Sequence, residues 1–263
     1  MVVSSVQTGD TMLEVRDLSK RFRGLKAVDG YRLELLPREI LGIIGPNGAG
    51  KSTVFNLLSG HVRPTTGRIV FSGRDITKAS PDQIAALGVG RTFQNIRLFS
   101  SMTVLQNVTC AEQLHVPAGF LSTIISSPRF RERESGLVDA GLRALELFNL
   151  AEKAHLPALS LPYGDQRRLE IVRALALRPK LLLLDEPTAG MNPRETAEVL
   201  DLVRRIHEEY RLTIIIVEHN MPLIMRLCTR LQVLNYGTII AEGSPEQVRN
   251  DPRVIESYLG RTG

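Results

Sequence analysis

Nine consecutive residues, Gly45, Pro46, Asn47, Gly48, Ala49, Gly50, Lys51, Ser52 and Thr53, form a complete G-x-x-x-x-G-K-[ST] phosphate-binding loop. Its glycines keep side chains clear, so successive backbone N–H groups can close around phosphates while the next helix directs its positive dipole end at the same charge. In such a loop the lysine, here Lys51, meets the β- and γ-phosphates, and the Ser52 hydroxyl ligates Mg²⁺. The flanks fit: Ile40-Leu41-Gly42-Ile43-Ile44 is an apolar strand, Val54, Leu57 and Leu58 follow at helical spacing, and Gly60 is a helix stop. A glycine-rich turn with an incidental lysine would not need that strand and helix, so the pattern predicts a bound nucleoside triphosphate with magnesium.

The segments around the loop predict an α/β fold. Leu13–Val15 and Tyr31–Leu36 alternate apolar and polar residues, and Gly67–Gly73 is a short apolar run between turn residues, which predicts antiparallel strands. Pro81–Leu87 reads as a helix stopped at Gly88. Val104–Leu114 and Leu137–Leu150 carry helix-spaced apolar residues joined by a Ser-, Pro- and Arg-rich stretch from Pro117 to Ser135, so this middle region is expected to be a helical insertion. Lys180–Asp185 and Leu212–Val217 read as strands buried on both faces, with Pro193–Tyr210 as the amphipathic helix between them. Leu231–Leu234 and Thr238–Ala241 read as a hairpin, and Ser244-Pro245-Glu246-Gln247 as the capped start of a short helix.

Composition narrows the class of protein. The chain has 263 residues, 43% of them hydrophobic and 23% charged, which is ordinary for a globular protein. Its longest apolar runs, such as Leu181–Leu184 and Ile214–Val217, are strand-sized, and Met1–Asp10 lacks the basic start and apolar core of a secretion signal. A cytosolic location is the expectation. Cys110 and Cys228 belong to no C-x-x-C pair, which argues against a metal site, a redox motif or a disulfide framework. A net charge of +5 permits an anionic partner, yet the 33 basic residues are interleaved with 28 acidic ones. Only Arg129-Phe130-Arg131-Glu132-Arg133 is locally basic, either as a solvated loop or as a contact with a membrane surface or partner.

Leu181-Leu182-Leu183-Leu184-Asp185-Glu186 has the form of a Walker B strand, which delivers two carboxylates at its carboxyl end. Asp185 is expected to bind Mg²⁺, directly or through water, and Glu186 to act as the general base for the attacking water. Leu161-Pro162-Tyr163-Gly164-Asp165-Gln166-Arg167-Arg168 then resembles the signature motif of ATP-binding-cassette (ABC) ATPases. That resemblance implies a phosphate-loop ABC ATPase core, an N-terminal antiparallel β-subdomain and an inserted helical subdomain. Residues 13–93 and 167–243 would form the β-subdomain and core, 94–166 the helical subdomain, and 244–263 a C-terminal helical tail, all within one nucleotide-binding domain. It also implies that two cassettes pack head to tail, each offering Leu161, Pro162, Tyr163, Gly164, Asp165 and Gln166 to ATP held by the other. Phe22 matches the aromatic that stacks on adenine, Gln94 the glutamine that reaches Mg²⁺ and the water, and His219 the histidine that contacts the γ-phosphate and positions Glu186. Without the resemblance Phe22 could equally be core, Gln94 would carry no meaning, and His219 would read as a strand-end surface residue.

Two positions depart from the family pattern. Pro162 stands where a serine usually offers a hydroxyl and an N–H, and Asn192 replaces the usual D-loop aspartate while keeping the ability to cap the next helix. Residues outside the universal motifs resemble the ATP-binding subunits of branched-chain amino acid importers: Gly88–Phe99, the insert at Gly119–Arg133, Ala189–Pro193, Val217–Met221 and Val254–Gly260. The implied partners are a second ABC ATP-binding subunit, membrane permease subunits and, indirectly, an extracytoplasmic solute-binding protein, with the chain peripheral at the cytoplasmic face of the membrane. No nucleic acid is expected. The alternatives are a cassette for another solute such as urea or amides, a weakly hydrolysing regulatory cassette, and a soluble nucleic-acid-linked ABC ATPase.

Overall fold

A computed structural model describes residues 11–112 and 128–259, with the side chains of 112, 128–135 and 259 excepted. In chain order the elements are β1 (Leu13–Phe22), β2 (Leu25–Leu35), β3 (Ile40–Ile44), α1 (Lys51–Leu58), β4 (Thr66–Phe71), β5 (Arg74–Asp75), α2 (Pro81–Ala86) and β6 (Val89–Arg91). They continue with α3 (Val104–Glu112), α4 (Pro128–Leu147), α5 (Tyr163–Ala176), β7 (Leu181–Asp185), α6 (Pro193–Tyr210), β8 (Thr213–Val217) and α7 (Met221–Leu227). The chain then closes with β9 (Arg230–Asn235), β10 (Thr238–Gly243), α8 (Pro245–Arg249) and α9 (Pro252–Leu259).

Two sheets form. One is antiparallel, in the order β2-β1-β4-β5; the other runs β10-β9-β3-β8-β7-β6, parallel except for the hairpin strand β10. The interiors of β3, β7 and β8 carry no polar side chain, because each face has its own core. Ile40, Ile44, Leu182, Leu184, Ile214 and Ile216 join a core built with the helices from α3 to α7, whereas Leu41, Ile43, Leu181, Leu183, Ile215 and Val217 join the core under α1 and the antiparallel sheet. Only the strand ends remain for chemistry. Among the described residues no helix is long and apolar enough to cross a membrane.

The expected strands, helices and hairpin are present, but β2 begins at Leu25 rather than Tyr31, the short β5 and α7 were not expected, and four further differences stand out. β1 runs on to Phe22 rather than stopping at Val15, because a bulge at Asp17 (φ 48°) breaks the alternation and hides its second half. β6 was not anticipated; its three residues form a parallel edge on β7, too short for a periodic signal. The Pro117–Ser135 connection is helical from Pro128 onward, while 113–127, and with it most of the 119–133 insert, lies outside the described residues. Finally, α5 is continuous across the 166/167 division and buries Leu169 and Val172 against α3 and α4.

The β9–β10 turn clamps the phosphate loop. Gly237 N–H donates to Ala49 O at 2.9 Å, and Gly237 O accepts from Asp29 N–H at 2.9 Å, with Gly237 at φ 80°. A Cβ there would lie 2.7 Å from Ala27 O. Gly237→Ala is therefore expected to destabilise the fold by about 1–2 kcal/mol, the usual cost of a left-handed non-glycine residue; thermal unfolding checks this, and an unchanged midpoint contradicts the clamp.

Candidate nucleotide site

The phosphate loop joins β3 to α1 with three glycines in backbone conformations closed to other residues: Gly45 at φ 148°, Gly48 at 80° and Gly50 at 104°. A Cβ on Gly45 would lie 2.1 Å from Leu234 O and one on Gly50 2.6 Å from Ala27 O, so two of them are forced by close neighbours, whereas Gly48 faces open space. Ala49 is buried, and Asn47, Gly48 and Ser52 are exposed around the mouth, with Pro46 and Thr53 half-buried. Lys51 is buried and donates from Nζ to Gly45 O at 2.7 Å and Pro46 O at 3.0 Å, which draws the ammonium across the loop. Desolvation holds the Lys51 pKa below its ordinary value, opposed by the pull of Glu186 and Asp185. Glycine backbone, a helix start and a buried cation fit a polyphosphate.

Gln94, Asp185, Glu186 and His219 follow the carboxyl ends of β6, β7 and β8, on the same rim as the loop after β3, where open α/β sheets place their ligands. Asp185 N–H donates to Thr92 Oγ1 at 3.1 Å, and Asp185 Oδ2 accepts from Arg91 Nη2 at 3.2 Å. Burial raises the Asp185 pKa, and the Arg91 guanidinium opposes the shift. Arg91 also donates to Phe55 O at 3.2 Å and to Ser59 Oγ, and its guanidinium carbon lies 4.9 Å from the Phe93 ring centroid. Glu186 is held at φ 48° by its N–H to Val217 O at 2.9 Å, a strained backbone of the kind that collects at functional sites. Gln94 Nε2 donates to Glu186 Oε2 at 3.1 Å, joining two of the residues singled out from the sequence.

Other expected residues sit differently. His219 is exposed, and its ring faces the neighbouring Glu218 at 3.9 Å with no hydrogen bond to Glu186. Fully buried Glu218 accepts from Thr188 N–H at 3.0 Å and Thr188 Oγ1 at 2.6 Å, tying the turn after β7 to the end of β8 and leaving the histidine outside. Phe22 is about half exposed at the tip of the antiparallel sheet, with Lys20 Nζ 5.0 Å from its ring centroid. In the signature segment Leu161 is buried in the core, Asp165 pairs with Lys153 and Arg168, and Gln166 Nε2 donates to Leu161 O at 2.8 Å. Those three side chains are occupied within their own chain; Pro162, Tyr163 and the first amides of α5 are what the segment offers outward. Asn192 caps α6, accepting from Arg194 N–H and Glu195 N–H at 3.0 Å each.

Residues that the sequence did not single out complete the surroundings: Arg91, Thr92, Arg167, Glu170, Thr188 and Glu218. For the four charged ones the one readable sign was charge beside apolar runs, as in Arg167 and Glu170 next to Leu169 and Ile171, a pattern shared with solvated helix faces, and Thr92 and Thr188 gave none. Among the described residues no group of three or more His, Cys, Asp or Glu side chains could hold a metal by itself. A cation here would lean on nucleotide oxygens with one or two protein ligands, the arrangement Mg²⁺ favours, and the exposed Ser52 hydroxyl with the Asp185 carboxylate is a donor set of that kind.

Comparison with known proteins agrees with this geometry. Residues 28–189 match the family described as ABC transporter, and residues 238–262 match the one described as branched-chain amino acid ATP-binding cassette transporter. The chain is 45% identical over 249 residues to the high-affinity branched-chain amino acid transport ATP-binding protein LivG of Escherichia coli K12, covering 95% of this chain and 98% of that one. It is 43% identical to BraF of Pseudomonas aeruginosa, named for the same transport, with the same coverage. Among solved structures, MJ1267, an ATP-binding cassette of an ABC transporter, superposes with a TM-score of 0.82 at 30% identity, covering 95% of this chain and 99% of that one. With the family matched over most of the chain and the relatives over nearly all of it, this protein belongs to the ATP-binding cassettes of ABC transporters.

Proposed function

We propose that the chain is the ATP-binding and ATP-hydrolysing subunit that energises an importer of branched-chain amino acids, bound peripherally at the cytoplasmic face of its permease subunits. The observation that carries the solute class is the match of the segment from β10 through α9 to a family specific to branched-chain amino acid cassettes, outside the motifs common to all ABC ATPases. End-to-end similarity to LivG and BraF supports the same reading.

In this reading the loop amides of residues 47–53 and Lys51 hold the triphosphate, Phe22 stacks on the base, and Ser52 and Asp185 would hold Mg²⁺, with Gln94 reaching the same ion and the water. When bound, Mg²⁺ neutralises charge on the β- and γ-phosphate oxygens. Glu186 takes the proton of the attacking water as the bond between the γ-phosphorus and the leaving oxygen breaks, and Gln94, already bonded to Glu186, orients that water. His219, exposed beside the rim, is free to turn toward the γ-phosphate. Tyr163, Gly164 and the first amides of α5 from a second cassette would close over the same phosphate. Pro162 offers that closure neither a hydroxyl nor an N–H, so closure at this segment relies on the helix-start amides.

A groove of about 540 Å³ between α2, β6 and α5 suits the permease contact. Its wall carries the Phe93 ring with Arg91 on one side and Arg97 at 4.1 Å, and Phe93 precedes Gln94, so an occupant there lies one residue from the catalytic rim.

Two substitutions test the assignment. Lys51→Ala should raise the dissociation constant for ATP beyond measurement in equilibrium titration; retained tight binding contradicts the loop's role. Glu186→Gln should leave ATP binding intact and cut turnover by roughly 10²- to 10⁴-fold, the scale of a positioned base, while normal turnover would remove Glu186 from that role. Uptake of labelled leucine by vesicles carrying the permease, solute-binding protein and this chain tests the solute; transport of an unrelated solute in its place would refute it.

A further inference from the structure

Arg167 and Glu170 lie one turn apart on α5, each 2% exposed, with Arg167 Nη1 3.3 Å from Glu170 Oε2. Their remaining bonds leave the helix. Arg167 Nη1 donates to Phe93 O at 2.7 Å, Arg167 Nη2 donates to Gln94 O, and Phe93 N–H donates to Glu170 Oε1 at 3.1 Å. Three backbone groups of the segment carrying Gln94 are thus bonded to a single turn of α5. The same guanidinium lies 5.5 Å from the ring centroid of Tyr163, the first residue of α5, and a Cβ on Gly190 would come 3.1 Å from the Tyr163 ring. One path of contacts therefore runs from Glu186 through Gln94 and Arg167 to the start of α5.

The burial of these charges needs a reason. Removing an ion pair from water is costly, and well-packed apolar side chains often serve stability as well or better. Arg167 Nε is buried without a hydrogen-bond partner, so the guanidinium is not placed to satisfy all its own donors. What an apolar replacement could not supply is a planar fork that fixes two successive carbonyls at once.

We propose that the Arg167–Glu170 pair is a positioning unit that bonds the Gln94 segment to the first turns of α5, so that Gln94 meeting Glu186 at this chain's own phosphate loop and the presentation of α5 to a second cassette are one motion. The idea rests on the head-to-tail reading given above. It gives the two sites of such a pair a mechanical link inside each chain.

Arg167→Lys keeps the charge and loses the fork. It should lower kcat roughly 10- to 100-fold, the scale of one charge-assisted hydrogen bond, with the dissociation constant for ATP unchanged. In a Gln94→Ala background the same substitution should change kcat less than twofold, because the unit acts through Gln94; equal losses in both backgrounds reduce it to packing and overturn the proposal. Hydrogen exchange should quicken together at residues 93–95 and 163–166, and a change confined to one segment also overturns it. Glu170→Gln, which preserves shape and the acceptor for Phe93 N–H, carries the same cycle if Arg167→Lys does not fold. An unsubstituted chain that fails to hydrolyse ATP would instead defeat the functional reading, a separate outcome.

Discussion

A parallel sheet with both faces buried leaves solvent only at its strand ends, and the chemistry of this protein follows from that restriction. The apolar residues of β3, β7 and β8 alternate between two cores, so polar side chains that could serve a site are left to the strand ends, as with Asp185, the last residue of β7. The residues proposed to form the site emerge where the strands stop: the phosphate loop after β3, Asp185 and Glu186 at the end of β7, His219 after β8 and Gln94 after β6. Their proximity is a property of strand order, β3-β8-β7-β6, and not of sequence distance.

Around that rim the protein holds backbone in place with buried charge. Arg91 joins the phosphate-loop helix to Asp185, Arg167 and Glu170 join the Gln94 segment to α5, and Glu218 joins the turns after β7 and β8. Each group gives up hydration, and burial opposes ionisation of Asp185 and Glu170. The compensation lies in hydrogen bonds to backbone that would otherwise be free to move, which suits a site that must set a water, a carboxylate and a phosphate within fractions of an ångström. Arg91 and Phe93 also face the groove beside α2, so the contacts that hold the rim continue to the surface proposed above for the permease.

The features legible in the sequence were those with a local cause. The phosphate loop, β3, β7 and β8 announce themselves through glycine spacing and unbroken apolar runs, and Asn192 through its position before Pro193. β1 was read only in part because Asp17 shifts its register, and β6 was missed because three residues carry no period. The pairing of Gln94 with Glu186 spans 92 residues and the bonds from Arg167 to the Gln94 segment span 73 and 74, so no local pattern could reveal them. The same limit explains the signature segment, where family resemblance marked Leu161, Asp165 and Gln166 but could not tell that their side chains are engaged inside the chain.

The account stands on a site that grips phosphate at the rim of the sheet. Equilibrium titration of the purified chain with ATP, ADP and AMP in the presence of Mg²⁺ addresses it most directly. One nucleotide should bind per chain, ATP and ADP with comparable affinity and AMP far more weakly, because the loop amides and Lys51 act on the β-phosphate and beyond. Equal affinity for AMP and ATP, or no saturable binding of any of the three, would contradict it.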